Sequence, residues 1–198
     1  GGLIRVFTKS PFTYQGTDLR LGAATYNDYK ASLTHYHRVS EKFAFSTGFF
    51  YEHEGGFFKN TARNNERIDK SDEFGGRVYL PNENLKLDFT LNYEYTNQGG
   101  YPYEYTGVVS GEEDRAEHIG SVSYNSASGY KRNLINGGLN LEHQADNFIL
   151  SSVTGFQYLY DQMNLDQDFT ERDIYTMIQK QNSKTLSQEI VFKSKPGR

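Results

Sequence analysis

From Leu85 to Thr96 the chain alternates without a break. Leu85, Leu87, Phe89, Leu91, Tyr93 and Tyr95 fall on one side, and Lys86, Asp88, Thr90, Asn92, Glu94 and Thr96 on the other. A period of two predicts a β-strand with one apolar and one wet face. The segment exceeds the roughly 5–6 residues usual in globular sheets and reaches the roughly 9–11 of a tilted membrane strand.

The same design recurs along the chain. Phe43, Phe45, Thr47, Phe49 and Tyr51 oppose Ala44, Ser46, Gly48 and Glu52. Tyr29, Ala31 and Leu33 oppose Lys30, Ser32, Thr34 and Arg38, and Ile135, Leu139 and Leu141 oppose Asn136, Gly138, Asn140 and Glu142. Leu186, Gln188, Ile190 and Phe192 alternate with Ser187, Glu189, Val191 and Lys193. "FILSSVTGFQYLY" carries apolar residues on both sides and is less decisive, and "TDLRLGAAT" and "EFGGRVYL" are weaker strands. The first residues, "GGLIRVFTKSP", also alternate, with Leu3, Arg5 and Phe7 against Ile4, Val6 and Thr8 until Pro11. A chain that opens in mid-strand is expected to be processed or to be part of something larger.

The connections carry as much information as the strands. Short turns are expected at 39–42, 81–84 and 144–147, each rich in turn formers. Long, polar, irregular stretches are expected at 54–72, 97–131 and 161–184. Such loops are unusual inside a compact soluble domain. They are ordinary in an outer-membrane barrel, where short periplasmic turns alternate with long extracellular loops. About eight strands follow the opening segment. The predicted fold is an all-β, antiparallel up-and-down meander forming part of a transmembrane β-barrel. A soluble sandwich or lipocalin-like barrel also alternates, but it would fill its interior with bulky apolar groups. Here the second face is Gly, Ser, Thr, Asn and scattered charge, which suits a water-filled lumen.

Composition sharpens this picture. Aromatics make up 15% of 198 residues, all Tyr and Phe with no Trp, while mean hydropathy is only -0.75. Such a chain is poor helix material and good strand material. A net charge of -4 argues against a nucleic-acid partner, which favours a basic stripe. Cysteine is absent, so no disulfide, zinc–thiolate site or thiol nucleophile exists. No apolar run approaches the roughly 20 residues of a spanning helix.

Chemistry-bearing clusters are few. His35 and His37 share a strand face without an acidic or Cys partner at ligand spacing, so a strand-end interface role is expected. Asn164, Asp166 and Asp168 echo a calcium loop, but Phe169 and Tyr175 stand where Gly and Glu are needed. "GEEDR", residues 111–115, holds clustered carboxylates best explained as a solvated loop tip. Phosphate, dinucleotide and G-x-S-x-G motifs are missing, so neither an enzyme nor a cofactor is expected. "QGGYPYEYTG" spaces Tyr101, Tyr103 and Tyr105 around Pro102, which suits stacking on sugar or chelate rings, or an interfacial aromatic girdle. Lys59, Arg63 and Arg67 in the preceding loop are candidates to attract an anionic ligand. Thr170 and Asp173 resemble a capping box ahead of Ile174, Met177 and Ile178, so a short helix is expected in the last loop.

"GGLIRVFTKSP" resembles the close of the plug domain of TonB-dependent outer-membrane receptors. "LGAATYNDYKASLTHYHRVSEKFAFSTGFFYEHEGGFFKN" is similar to the first three barrel strands of that family, and "SQEIVFKS" to a later strand of its siderophore-type members. Arg5 departs from the Asn common in the family. The resemblance implies that residues 1–11 are the last plug strand and residues 12–198 the N-terminal portion of a barrel of twenty-two strands. It implies active uptake of a scarce ligand such as an iron chelate across the Gram-negative outer membrane, with outer-membrane lipid around the wall. The energy would come from TonB through a segment outside this chain. Two other readings are a complete eight-stranded barrel with a structural or adhesive role, and a soluble glycan-binding β domain.

Overall fold

The computed structural model describes residues 8–82, 86–105 and 122–195. Residues 1–7, Asn84, Leu85, residues 111–115 and His118, named above, lie outside the described residues. The fold is an antiparallel meander. Its eight-stranded sheet takes β1 (Gly16–Ala24), β2 (Asp28–Arg38), β3 (Ala44–Glu54), β6 (Ser71–Asn82), β7 (Leu87–Gln98), β8 (Gly129–Gln144), β9 (Phe148–Asp166) and β10 (Thr176–Ser194) in sequence order. A second, two-stranded sheet pairs β4 (Lys59–Asn60) with β5 (Glu66–Arg67) around a 3-10 turn, Thr61–Arg63. The sheet is not closed: β1 and β10 are its two edges.

Register joins the single-strand patterns into faces. Leu19 stands opposite Leu33, and Leu33 opposite Phe49. Val78 faces Leu91, Tyr93 faces Ile135, Ile135 faces Tyr158, and Phe156 faces Leu186. Every apolar stripe therefore falls on the same side, and the stripes merge into one band across eight strands. The band is bare: Leu21 is 74% exposed, Leu186 75% and Ile190 68%. Contiguous exposed apolar patches larger than a few hundred Å² are rare on monomeric soluble proteins. The opposite face carries Ser32, Thr34, Arg77, Asn92, Glu94, Asn136 and Gln157. Register also resolves "FILSSVTGFQYLY": Leu150, Phe156, Tyr158 and Tyr160 join the apolar band, and Ile149, Val153 and Leu159 the polar face.

The ends of the band differ from its middle. Toward the long loops it finishes in Tyr29, Tyr51, His53, Phe74, Tyr93, Tyr95, Tyr158 and Tyr160. Several tips there find polar partners; Tyr51 donates to Asp72 at 2.9 Å and Tyr93 to Asn133 at 3.0 Å. At the short-turn end lie His35, His37, Phe45, Phe148 and Phe192. Rings with polar tips at both margins of an apolar stripe match the preference of such side chains for a boundary between oil and water.

The turn at 39–42 forms as expected, with the amides of Val39 and Ser40 donating to the Phe43 carbonyl at 3.0 Å. At 144–147 the Ala145 amide donates to the Phe148 carbonyl at 2.9 Å. Three expectations fail. Residues 161–184 are not one long irregular loop: β9 runs to Asp166 and β10 starts at Thr176, leaving 167–175 between them. Most side chains there are polar, and the few apolar ones fall on both faces (Met163, Leu165 and Met177 on one, Ile178 on the other), so periodicity is silent, but the backbone ladder continues through Asp161↔Gln181 and Asn164↔Ile178. The short helix is also absent. Met177 and Ile178 sit in β10 on opposite faces, and Thr170 donates its amide to Asp168 while accepting from the Arg172 amide. Pro81 and Asn82, expected in a turn, close β6 instead, opposite Asp88 and Leu87.

Candidate functional site

The loops at the tyrosine-rich end fold into a cap, and the cap holds most of the deep burial. Among the described residues the buried hydrophobics are Ala44, Ile68, Val122 and Tyr124, and the last three form one cluster with Phe169 against it. Asn60 pins this cluster. Fully buried, it donates its amide to the Tyr124 carbonyl at 2.8 Å and accepts from the Ala62 amide at 3.1 Å. The Thr61 amide donates to the Val122 carbonyl at 2.8 Å, joining the first long loop to the second. The Asn125 amide donates to the Thr170 carbonyl at 3.0 Å, joining the second to the third.

Glycine makes the close approach possible. A Cβ on Gly99 would fall on the Ile68 carbonyl oxygen, and one on Gly100 on the Tyr124 hydroxyl. Burial pushes that hydroxyl up to about 12. The Gly99-Gly100 pair thus lets the chain pass beneath Tyr124 before rising into Tyr101.

The tyrosine-rich segment brings two of its rings together. Tyr101 and Tyr103 stack at 5.8 Å with an 11° interplanar angle, and Tyr103 meets Phe169 edge-on at 5.4 Å. Phe169 in turn contacts Tyr124 at 6.4 Å. Tyr103 is 55% exposed, so the series of rings runs from the buried cluster to water. Tyr105 is half-buried. The arrangement gives a pre-formed aromatic surface with phenol tips, able to stack on a flat or ring-shaped ligand.

The loop cations have other partners. Arg63 donates to the Asn125 carbonyl at 3.0 Å and to Glu66 at 3.2 Å. Arg67 donates to the Gly56 carbonyl at 3.0 Å and lies 5.2 Å over the Tyr26 ring. Lys59 is exposed on β4, opposite Arg67. Arg63 and Arg67 therefore build the cap, and the structure does not gather the three cations around the stacked tyrosines.

Sequence reasoning passed over Phe169, Tyr124 and Asn60, which hold the platform. Phe169 adopts a left-handed conformation, φ +54°, and no periodic pattern marks such a position. Asp166 and Asp168 are backbone staples. Asp166 accepts from the amides of Ser126 at 2.9 Å and Phe169 at 3.1 Å, and Asp168 from those of Thr170 and Tyr175 at 2.9 Å. His35 and His37 stack at 6.0 Å, with Thr17 2.9 Å from His35 Nδ1. Among the described residues no group of three or more His, Asp or Glu is placed to hold a metal ion.

Burial alone would raise the Asp168 carboxyl, but the hydrogen bonds from Thr170 and the Tyr175 amide outweigh it and hold the pKa below 3.8. A carboxylate depressed in the folded state stabilises fully above its unfolded value. That contribution is lost as pH falls through the folded one. Lowering pH from about 5 to about 3 is therefore expected to remove the contribution of Asp168 to the cap. Asp168→Asn should flatten this response, measured as amide exchange at Thr170 and Tyr175. An unchanged slope would remove Asp168 from the account.

No protein-family model matches this chain, and no curated protein or solved structure matches it either.

Proposed function

We propose that the chain is part of the wall of a TonB-dependent outer-membrane receptor that takes up an iron-siderophore or similar chelate. The observation that carries this reading is the apolar band, continuous in register across eight strands, edged with aromatics and backed by a polar face. A lipid-facing surface needs that band, and a water-filled lumen needs the other face. The long loops gathered over one end, with Tyr103 exposed among them, supply a place for ligand capture. A soluble glycan-binding domain is disfavoured by the bare apolar surface.

The edges favour a larger wall over a self-contained barrel of eight. β1 has 9 residues and β10 has 19. Pairing the two would leave about half of β10 without partners, whereas a neighbouring strand of matching length would pair it along its whole edge.

Disruption of the gene is expected to abolish growth of the source bacterium on the ferric chelate as sole iron supply. Undiminished growth on every such chelate would overturn the transport reading. Loss of one stacked aromatic contact is worth about 0.5–1.5 kcal/mol. Tyr103→Ala in the receptor is accordingly expected to weaken chelate binding between about two- and tenfold, measured by titration on whole cells. Unchanged affinity would move the ligand away from these rings.

A further inference from the structure

Beyond the aromatic margin at the loop end, the side of the sheet that bears the apolar band changes chemistry at one level. Phe74 gives way to Asp72 on β6, Tyr95 to Asn97 on β7 and Tyr160 to Gln162 on β9, with Lys131 on β8 completing the row. The four are register partners in the order Asp72↔Asn97↔Lys131↔Gln162, and Lys180 on β10 stands opposite Gln162. Two residues of extended chain set this row about 7 Å past the rings. The row lines a cavity of about 280 Å³, together with Lys70 and Asn164.

Among the described residues, the strands of this side carry two carboxylates, Asp72 and Asp166, and three lysines, Lys131, Lys180 and Lys184. Both carboxylates are engaged. Asp72 accepts from Tyr51 at 2.9 Å and lies 2.7 Å from His53 Nδ1, and buried Asp166 accepts the amides of Ser126 and Phe169. Lys70 pairs with Glu66, which Arg63 also holds, and Asp69 accepts the amides of Phe57 and Phe58. Glu94 and Asp161 belong to the polar face, where they meet Arg132 and Tyr130. Glu104, Glu171 and Asp173, in the loops, form no ion pair with any of the three lysines. Lys131 and Lys180 are therefore exposed cations with no acid within ion-pair distance among the described residues. Protection of an open edge accounts for Lys180 on β10, but not for Lys131, two strands inside that edge.

A lysine ammonium is a compact charge on a long apolar stem, which lies along an apolar surface while the head reaches a polar boundary. Lys184 does this within the margin itself, its ammonium 5.8 Å from the centre of the Tyr158 ring. Just past the aromatic margin of a membrane wall lies the headgroup layer, where lipid phosphates attract such cations. We infer that the cavity beside Lys131 and Lys180 binds the phosphate of a lipid headgroup in the leaflet around the loop end. The two ammonium groups are its charge partners, and the side-chain amides of Asn97 and Asn164 add donors. This inference rests on the reading of the apolar band as lipid-facing.

The test is calorimetric titration of the full chain, folded in neutral detergent, with dioctanoyl phosphatidic acid, dioctanoyl phosphatidylcholine and inorganic phosphate. Saturable binding of phosphatidic acid is expected, about tenfold or more tighter than that of either other probe. Lys131→Gln should weaken it about fivefold and Lys131→Gln/Lys180→Gln about twentyfold, whereas Lys131→Arg should keep most of it. Lys193→Gln, on β10 but on the polar face, should leave it unchanged. Equal binding of phosphatidylcholine, or indifference to the lysine variants, overturns the site. Equal binding of inorganic phosphate overturns it in favour of a solute. Circular dichroism checks the strand signal of each variant; if the double variant does not fold, Lys131→Gln alone decides, and unchanged affinity there overturns the site. Insertion of the chain into phosphatidylcholine vesicles is measured separately. A chain that inserts but does not prefer phosphatidic acid loses this site and keeps the lipid-facing band, and one that does not insert loses both.

Discussion

Leu91→Arg is expected to destabilise the folded chain in a phospholipid bilayer by about 2–4 kcal/mol, the range for a cation at the middle of a barrel's lipid face. Leu91 sits midway along the apolar stripe of β7, between Val78 on β6 and Gly137 on β8. It is 41% exposed in the sheet, so an arginine there meets no steric barrier, only the surrounding medium. The neighbouring Thr90→Arg is the control. Thr90 pairs with Tyr79 and Gly138 on the polar face, where a charge joins others already present. One residue of displacement reverses the face, so the two substitutions separate lipid from water with the same side chain. Denaturant titration of the chain folded into vesicles is the measurement. Equal destabilisation by both variants would remove the bilayer from the explanation.

Asn60→Ala is expected to release the loop cap, at a cost of about 1–3 kcal/mol for the polar groups left buried without partners. The Tyr124 carbonyl would lose its 2.8 Å donor and the Ala62 amide its 3.1 Å acceptor. Asn60→Asp should be worse. It keeps the acceptor but places a negative charge against the Tyr124 carbonyl in a fully buried position. Because Asn60 joins the first and second long loops, protection should fall together at Thr61, Ala62 and Asn125 while the sheet amides stay protected. Hydrogen exchange by mass spectrometry reads both regions at once. A uniform loss across sheet and cap would mean that the cap is not a separate unit. If Tyr101 and Tyr103 are the capture surface, Asn60→Ala should also weaken chelate binding without touching either ring.

The strands were legible wherever side chains alternate between two different media. Leu87 to Tyr95, Phe45 to Tyr51 and Leu186 to Phe192 announce themselves because one face is apolar and the other is not. The same signal vanishes where the residues are mostly polar and the few apolar ones fall on both faces. For that reason Asp161 to Asp166 and Thr176 to Lys184 resemble loop in sequence yet complete two 19-residue strands in the fold. Their pairing depends on backbone hydrogen bonds, which no side chain records. The helix expected at Thr170 failed for a related reason. A hydroxyl followed by an acid marks a helix start only when the backbone has no better bonds, and here Asp168 takes the amides of Thr170 and Tyr175.

By itself, the sequence determined the class, the number of principal strands and which residues share a face, because these follow from a local period of two. It also singled out Tyr101 and Tyr103 as aromatic surface on a long loop. Only the tertiary structure decided that the faces merge into one band, since register is a relation between strands. Only the fold brought Asn60, Tyr124 and Phe169, far apart in the chain, together beneath those rings.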